Sequence, residues 1–490
     1  MSAIATVLVG MGFKVTGSDA ADSRSLQRLK GIGVDARVGN YPDGASAADV
    51  VVRSTAVPNS DADVEAARRS GAQLWSRADL LSAICSTKRT IAVSGTHGKT
   101  TTSAMIAVTL DRLGWHPSWI VGSEIAGLGS GGRWDPQGEW LVVEADESDG
   151  TFTRLEAGAV VVTNVEADHL EYFGGLEALE REFTRFVSSC SGPAVICADD
   201  PGALRVASGA LRVAAGAPAS TATLPGAVLG PRSPRDMSPP VLTYGKSPGS
   251  AFLIDELRMH GDGSDFRIRF ASRHMPGAAG AARESGASDG SIAHRGVAVH
   301  LQVPGMHNVR NAAAAVGVTA AIGAPLDLLG EAVGGFRGVA RRFESRGGAG
   351  GVSFVDGYDH LPSEVAAAIA TAKLGAWSRV VAVFQPHRYS RTEALWRDFA
   401  DSFVGADVVV IAGIYGAGEP PRPGVDEHLI VDAVRLAHPD TELYRGGTLP
   451  ETAELLVNLL KPGDLCLTLG AGDITKMADM LRVALTAGGR

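Results

Sequence analysis

Short apolar runs alternate with longer mixed stretches along the whole chain. Residues 1–10 are small and apolar enough for a helix. Phe13–Thr16 reads as a strand ended by Gly17-Ser18-Asp19, and further strands are expected at Asp49–Arg53 and Gln73–Trp75. Helices such as Ser25–Lys30 and Ala62–Arg69 fall between them, so a small α/β domain is predicted over 1–88. A helix followed by a strand that closes on an acid is the second half of a dinucleotide-type β-α-β unit. The first strand and Gly-rich turn of such a unit do not precede Ser2, so a true start upstream of Met1 is expected.

A second domain is expected from Arg89. Thr90–Ser94 has a buried-strand pattern, followed by a loop and a helix from Lys99 to about Leu113. Strands recur at Trp140–Val143, Ala159–Val162 and Ala194–Cys197. The stretches Gly209–Pro240 and Pro276–Gly296 are rich in Ala, Pro, Gly and Ser, and read as surface loops without chemistry of their own. A third domain begins between Ile322 and Arg341, with strands at Val352–Val355, Val380–Phe384, Val408–Ala412 and Leu465–Leu469. The predicted boundaries are 1–88, 89–322 and 323–490. Strands alternating with helices predict doubly wound, mainly parallel sheets, whose ligands sit beyond the carboxyl ends of the strands.

Composition narrows the function. The 490 residues suffice for two to four domains. A net charge of −9 argues against a nucleic-acid or anionic-membrane partner, which would select a basic face. A local basic pocket for a phosphorylated small molecule stays open. The four cysteines, Cys85, Cys190, Cys197 and Cys466, form no CxxC pair, so neither a zinc cluster nor a disulfide framework is indicated. No apolar run is long enough to cross a bilayer, and no basic segment precedes the apolar N-terminus. No membrane insertion is expected, and the expected compartment is cytoplasmic.

The strongest chemical signal is Ser94-Gly-Thr-His-Gly-Lys-Thr-Thr-Thr102, placed between a strand and a helix as a P-loop requires. The backbone of Gly95, Thr96, His97 and Gly98 can cradle phosphates at the helix N-terminus. Lys99 would reach the β- and γ-phosphates, and Thr100 a magnesium ion. The plain alternative is a glycine-rich turn. Glu144-Ala-Asp-Glu-Ser-Asp149 ends the next strand; a solvated acidic loop would look the same, but beside a P-loop Glu144 is the expected Mg²⁺ ligand. Thr163-Asn-Val-Glu-Ala-Asp-His169 ends a third strand and offers His169 as a second metal ligand, with Asn164 and Asp168 as supports. In Pro304-Gly-Met-His-Asn308-Val-Arg-Asn311 the amides suit an adenine edge, or Asn308 simply caps the helix. Arg388 and Arg391, three apart at a loop-to-helix junction, suit one anion; Arg341-Arg342 adds positive charge. Gly470-Ala-Gly-Asp473 precedes a helix whose N-terminus could meet an anion.

GTHGKTTT, EADESD, TNVEADH, PGMHNVRNA, RRFE, FQPHRYSRT and LGAGDI occur together in the order and spacing of the Mur ligase family, which the chain resembles over nearly its whole length. FQPHRYSRT and GAGDI resemble the members that join L-alanine to UDP-N-acetylmuramate. The resemblance implies three α/β domains: a Rossmann-like N-terminal domain for the UDP-substrate, here lacking its first strand; a P-loop ATPase domain; and a Rossmann-like C-terminal domain. It implies ATP and Mg²⁺, an acyl-phosphate intermediate, small-molecule substrates and a monomer or homodimer. Carried over by motif, Gly95, Thr96, His97, Gly98, Lys99, Thr100, Thr101, Asn308, Asn311 and Arg342 would contact ATP. Thr100, Glu144 and His169 would ligate Mg²⁺. Lys99, His169, His360, Arg388 and Arg391 would be catalytic. Ser18, Asp19, Tyr358, His387, Arg388 and Arg391 would hold the substrates.

One departure stands inside the last domain. The family stretch Asp-Asp-Tyr-Ala/Gly-His-His-Pro reads Asp356-Gly-Tyr-Asp-His-Leu-Pro362 here. The acid before the Tyr is Gly357 and the second His is Leu361, leaving Asp356 or Asp359 to substitute. Two rival readings stay open: a related ligase that adds a recycled peptide, against which GAGDI counts, and a degenerate nucleotide-binding paralogue, which Gly357 and the missing first loop favour.

Overall fold

The computed structural model describes residues 1–54, 56–148, 150–168, 170–215, 239–271 and 296–487. The chain is α/β throughout, with mainly parallel sheets, as its pattern predicts. It divides into two compact units: Met1–Leu257 with Asp265–Leu301 and Arg310–Arg337, and Arg258–Ser264 with Gln302–Val309 and Gly338–Arg490.

In the first unit, β1 (Thr16–Asp19) pairs in parallel with β2 (Asp35–Val38). Separately, β3 (Val50–Arg53) pairs in parallel with β4 (Gln73–Ser76). The strand expected at Phe13–Thr16 therefore starts three residues later, and Gly17-Ser18-Asp19 lies inside it. The reason is local. The helix Ser2–Gly10 ends in a turn through Gly12 at φ 90°, in which Phe13 N–H donates to Leu8 O, so Phe13 belongs to the helix exit and is 58% exposed. The helix Arg24–Gly31 starts on Ser23, whose Oγ accepts from Leu26 N, and packs Leu26 against Val34 and Ala36.

The large sheet of this unit uses β5 (Arg89–Ser94), β6 (Ser118–Ile120), β7 (Gly132–Arg133), β8 (Trp140–Glu144), β9 (Ala159–Val162), β10 (Ala194–Cys197), β11 (Val241–Gly245), β12 (Phe252–Met259), β13 (Ser264–Phe270) and β14 (Gly296–Leu301). Their order is β14-β13-β12-β11-β10-β9-β5-β8-β6-β7. Strands β5, β8 and β9 are continuous apolar runs, because a parallel sheet is covered on both faces. The helix Lys99–Arg112 buries every residue from Thr100 to Leu110. The loop expected from Gly209 begins later: the helix Pro201–Ala214, capped by Asp200 on Ala203 N, runs through Gly209. Most of the two expected loops, 216–238 and 272–295, lies outside the described residues. All four cysteines are buried and unbridged, and burial pushes the thiols up to about 11 or 12. No helix among the described residues is long and apolar enough to cross a membrane.

The second unit is built on β15 (Glu344–Ala349), β16 (Val352–Gly357), β17 (Arg379–Phe384), β18 (Val408–Ala412), β19 (Leu443–Gly447) and β20 (Asp464–Leu469), ordered β15-β16-β20-β17-β18-β19. Only β15 runs antiparallel, at the edge. Phe384, at the end of β17, is fully buried, with its ring 5.0 Å from Phe399 and 5.6 Å from Phe403.

Truncating Phe384 to Ala should cost this unit about 3–5 kcal/mol, the range for deleting a buried aromatic ring. Urea unfolding followed by a probe in this unit would check it; a loss under about 1 kcal/mol would mean the ring is not a core element.

Candidate active site

The P-loop is set by sheet register. In β5, Val93 lies opposite Glu144 of β8, and Ser94 opposite Val162 of β9. The chain leaving β5 is therefore flanked by the acidic loop on one side and by Thr163-Asn164 on the other. Gly95 has φ 138°, and a Cβ there would overlap Thr163 Oγ1 and stand 2.9 Å from Asn164 O. Gly98 caps the helix at φ 78°, and a Cβ there would stand 2.7 Å from Asn311 Oδ1. Both positions need glycine for conformation and for space.

The loop is latched to the segment after β9. Thr96 N donates to Asn164 O (3.1 Å) and His97 N to Asn164 Oδ1 (2.7 Å). Asn164 Nδ2 and Thr163 Oγ1 donate to His97 O, and Glu166 N donates to Thr96 Oγ1. His97 Nε2 lies 3.2 Å from Glu166 Oε2. Two of the backbone N–H groups expected to cradle phosphate, those of Thr96 and His97, are thus spent on holding the loop's shape. The N–H groups that helix geometry itself leaves open are those of the first turn, at Lys99, Thr100 and Thr101.

Lys99 is half-buried beneath this loop, its side chain 14% exposed. Its Nζ donates to Gly95 O (2.7 Å), Thr96 O (3.2 Å) and Glu147 Oε1 (2.9 Å). Burial works to lower its pKa, but the charges of Glu147, Asp146 and Glu144 outweigh it, and the ammonium is held above its ordinary value. Glu147 was not singled out by the sequence. It is 2% exposed, and burial raises its pKa to about 7 against the pull of Lys99. Asp146 turns instead toward Arg77, 3.6 Å away.

Glu144, at the end of β8, accepts from Thr100 Oγ1 (2.8 Å) through Oε1 and from Gly122 N (2.5 Å) through Oε2. A hydroxyl and a carboxylate side by side are hard oxygen donors that suit a magnesium ion keeping several waters. Such an ion would fill the rest of its shell with phosphate oxygens and water. Among the described residues no group of three His, Cys, Asp or Glu could hold a metal. His169 lies outside the described residues.

Asn311 meets the P-loop through Gly98, and its neighbour Arg310 is braced by Nε donating to Asp199 Oδ2 (2.9 Å). Asn308 belongs to the other unit, where its Nδ2 donates to Pro304 O (2.7 Å). Ser18 and Asp19 end β1; Ser18 Oγ donates to Asp63 Oδ2 and Asp19 Oδ1 accepts from Ala21 N.

In the second unit the expected residues gather at the carboxyl ends of β16, β20, β17 and β18. The Tyr358 and His360 rings lie 5.6 Å apart, His360 and His387 6.0 Å, and His387 stacks on Tyr415 at 5.7 Å and 15°. The guanidinium groups of Arg341 and Arg342 lie 4.9 and 5.2 Å from the Tyr358 ring centre. Arg391 Nη1 donates to His387 Nδ1 (3.2 Å), which fixes that nitrogen as the acceptor. His360 Nδ1 lies 2.9 Å from Tyr358 O, an acceptor, so it carries the proton there. Burial lowers the pKa of both imidazoles. For His387, Arg391, His360 and Arg388 add to this and bring it to about 4. Both rings are therefore neutral at neutral pH. Arg388 is exposed at φ 70°, where its N–H donates to Tyr415 O.

In the Gly470–Asp473 loop one of the N–H groups expected to meet an anion, that of Ile474, is already engaged. Arg341 Nη2 donates to Gly470 O and Gly472 O, and Gln385 bridges to Asp473 Oδ1 and Ile474 N. Gln385 and Tyr415 were legible only as loop residues, since their role depends on pairing across the sheet.

Family models match three stretches in sequence. They are "Mur ligase family, catalytic domain" over 1–89, "Mur ligase middle domain" over 93–215 and "Mur ligase, glutamate ligase domain" over 341–472. A relative from Bradyrhizobium sp. (strain ORS 278), named UDP-N-acetylmuramate–L-alanine ligase, is 37% identical over 99% of this chain and 96% of its own length. The chain belongs to the Mur ligase family. A Solidesulfovibrio magneticus Mur ligase of the same name is 38% identical over 97% of the chain and 93% of its own length. Among solved structures, the UDP-N-acetylmuramate-alanine ligase of Thermotoga maritima has a TM-score of 0.76 at 23% identity, covering 100% of this chain and 97% of that one. A murein peptide ligase from Psychrobacter arcticus has a TM-score of 0.65 at 20% identity, covering 99% and 96%. At these identities the two structures speak for the fold.

The raised pKa of Glu147 carries a sign. A carboxyl whose folded pKa rises from 4.5 to about 7 contributes stability that is whole below its unfolded value and lost as pH climbs through the folded one. Glu147→Gln keeps the shape and stays neutral. Its melting temperature relative to the parent should therefore improve from about pH 5 to about pH 8. A gap that is flat across that window would contradict the assignment.

Proposed function

We propose that this chain is a cytoplasmic ligase that joins L-alanine to the carboxylate of UDP-N-acetylmuramate at the expense of ATP, in the synthesis of peptidoglycan precursors. The observation that carries this is full-length similarity, 37% over 99% of the chain, to relatives named for that reaction. The assembly of Lys99, Thr100 and Glu144 around one phosphate-type loop supports it.

A muramate carboxylate oxygen attacks the γ-phosphorus of ATP. The bond to the β–γ bridging oxygen breaks, giving ADP and an acyl phosphate. The amine of L-alanine attacks the acyl carbon and loses a proton; the bond to the phosphate oxygen then breaks, giving the amide and inorganic phosphate. Catalysis of this kind is mainly positioning and charge neutralisation. Lys99 leaves Glu147 to meet the β- and γ-phosphates, and the first-turn N–H groups hold their oxygens. Thr100 and Glu144, with His169, hold magnesium, which when bound neutralises phosphate charge. Asn308, Asn311 and Arg342 position the nucleotide. Arg388 and Arg391 hold the carboxylate groups. Tyr358, His360 and His387 shape that site, and the neutral His360 Nε2 is an acceptor for the amine proton. Ser18 and Asp19 serve the UDP-substrate.

Phosphate release by the purified chain, with ATP, Mg²⁺, UDP-N-acetylmuramate and L-alanine each omitted in turn, tests this. Release should need all four, and Lys99→Ala should lower kcat at least about 100-fold. Release without L-alanine, or only with a peptide acceptor, would overturn the reading.

A further inference from the structure

Two acids, Asp356 and Asp359, flank the position where the resembled family pattern has an acid and this chain has Gly357. Asp356 is not available. It is fully buried, its Oδ1 accepts from Thr468 Oγ1 (2.9 Å), and its Oδ2 accepts from Thr475 Oγ1 (2.6 Å) and Arg341 Nε (3.3 Å). Both of its oxygens are committed to holding β16, β20 and the Arg341 turn together.

Asp359 is placed differently. The chain turns at Tyr358 so that the Asp359 carboxylate folds back over the Cα of Gly357, and a Cβ at 357 would overlap Asp359 Oδ2. Residue 357 cannot move aside. Its carbonyl accepts from Gly470 N (3.2 Å), the next residue's N–H donates to Arg341 O (2.8 Å), and Leu469 Cδ2 would stand 3.2 Å from the same Cβ. One volume at the end of β16 thus admits a carboxylate from 357 or from 359, not from both.

The surroundings give that carboxylate its task. Burial and the neighbouring Glu364 push its pKa up to about 7, and the nearby Arg342 guanidinium opposes them. Glu364 is itself engaged: its Oε2 accepts from His360 N (2.9 Å) and Leu361 N (3.2 Å), and its Oε1 lies 3.7 Å from Arg342 Nη1. Arg342 lies over the Tyr358 ring with Glu364 as its ion-pair partner, and Asp359 stands in the chain between Tyr358, which carries that ring, and His360, whose N–H donates to Glu364.

We propose that Asp359 is a positioning residue that orients Arg342 from the side-chain space of position 357, so that the Gly357/Asp359 pair is a transposed form of an acid-at-357 arrangement. This rests on the ligase reading above, through the role given there to Arg342.

The test is an exchange in the full chain, read by the KM for ATP in acceptor-dependent phosphate release and by melting temperature. Asp359→Asn keeps the shape and should raise the KM for ATP about tenfold with little change in kcat. Gly357→Asp alone should be impaired, because it expels Asp359. The double variant Gly357→Asp/Asp359→Gly should return to within about threefold of the parent. The proposal is overturned if Asp359→Asn leaves that KM unchanged, or if the double variant is no better than the poorer single one. If the parent itself releases no acceptor-dependent phosphate, the ligase reading fails, and the exchange is still decided by melting. Gly357→Ala should lower the midpoint and Gly357→Ala/Asp359→Gly should recover it; no recovery overturns the shared volume.

Discussion

Parallel pairing of β5 between β8 and β9 is the constraint on which the nucleotide-type site depends. All three strands end at the same edge, so three loops far apart in sequence meet there. The register puts Glu144 beside the end of β5 and brings Thr163-Asn164 against the other side of the loop. A slip of one residue would turn Glu144 to the opposite face and separate it from Thr100. The apolar burial that fixes the register therefore also fixes the chemistry.

The second physical theme is charge kept under low exposure. An unpaired buried ammonium would cost several kcal/mol, so Lys99 sits on two carbonyls and Glu147 while it waits for a phosphate. The site in the other unit works with neutral imidazoles instead. Burial depresses both His387 and His360, and Arg391 and Arg388 depress His387 further, so the arginines supply the positive charge and the histidines supply oriented acceptors and donors. A lysine in place of Arg391 would lose the directed N–H that fixes the His387 tautomer.

Much of this was legible in the sequence because it is local. Apolar runs marked β5, β8, β9 and β18 to within a residue, and Ser94–Thr102 announced its own loop. What escaped depends on long-range packing. Four acids in six residues do not say which meets Lys99, since Glu147 reaches it only through the turn at Asp146–Ser148. Tyr415 and Gln385 matter through contacts across β17, β18 and β20, which no local pattern encodes. Phe13 falls outside β1 because the helix exit through Gly12, at φ 90°, holds its N–H on Leu8 O. The Gly357-Tyr-Asp359 sequence held its clue in plain view: a glycine two residues before an acid leaves room for that acid to fold back.

The most direct measurement is oxygen transfer. UDP-N-acetylmuramate labelled with ¹⁸O in its muramate carboxylate would be turned over with ATP and L-alanine, and the released phosphate analysed by mass. An acyl phosphate requires one labelled oxygen to leave with each phosphate, because a carboxylate oxygen bonds to the γ-phosphorus and stays with it. Phosphate carrying no label, with product formed, would contradict the central claim that the carboxylate is activated by direct attack on ATP.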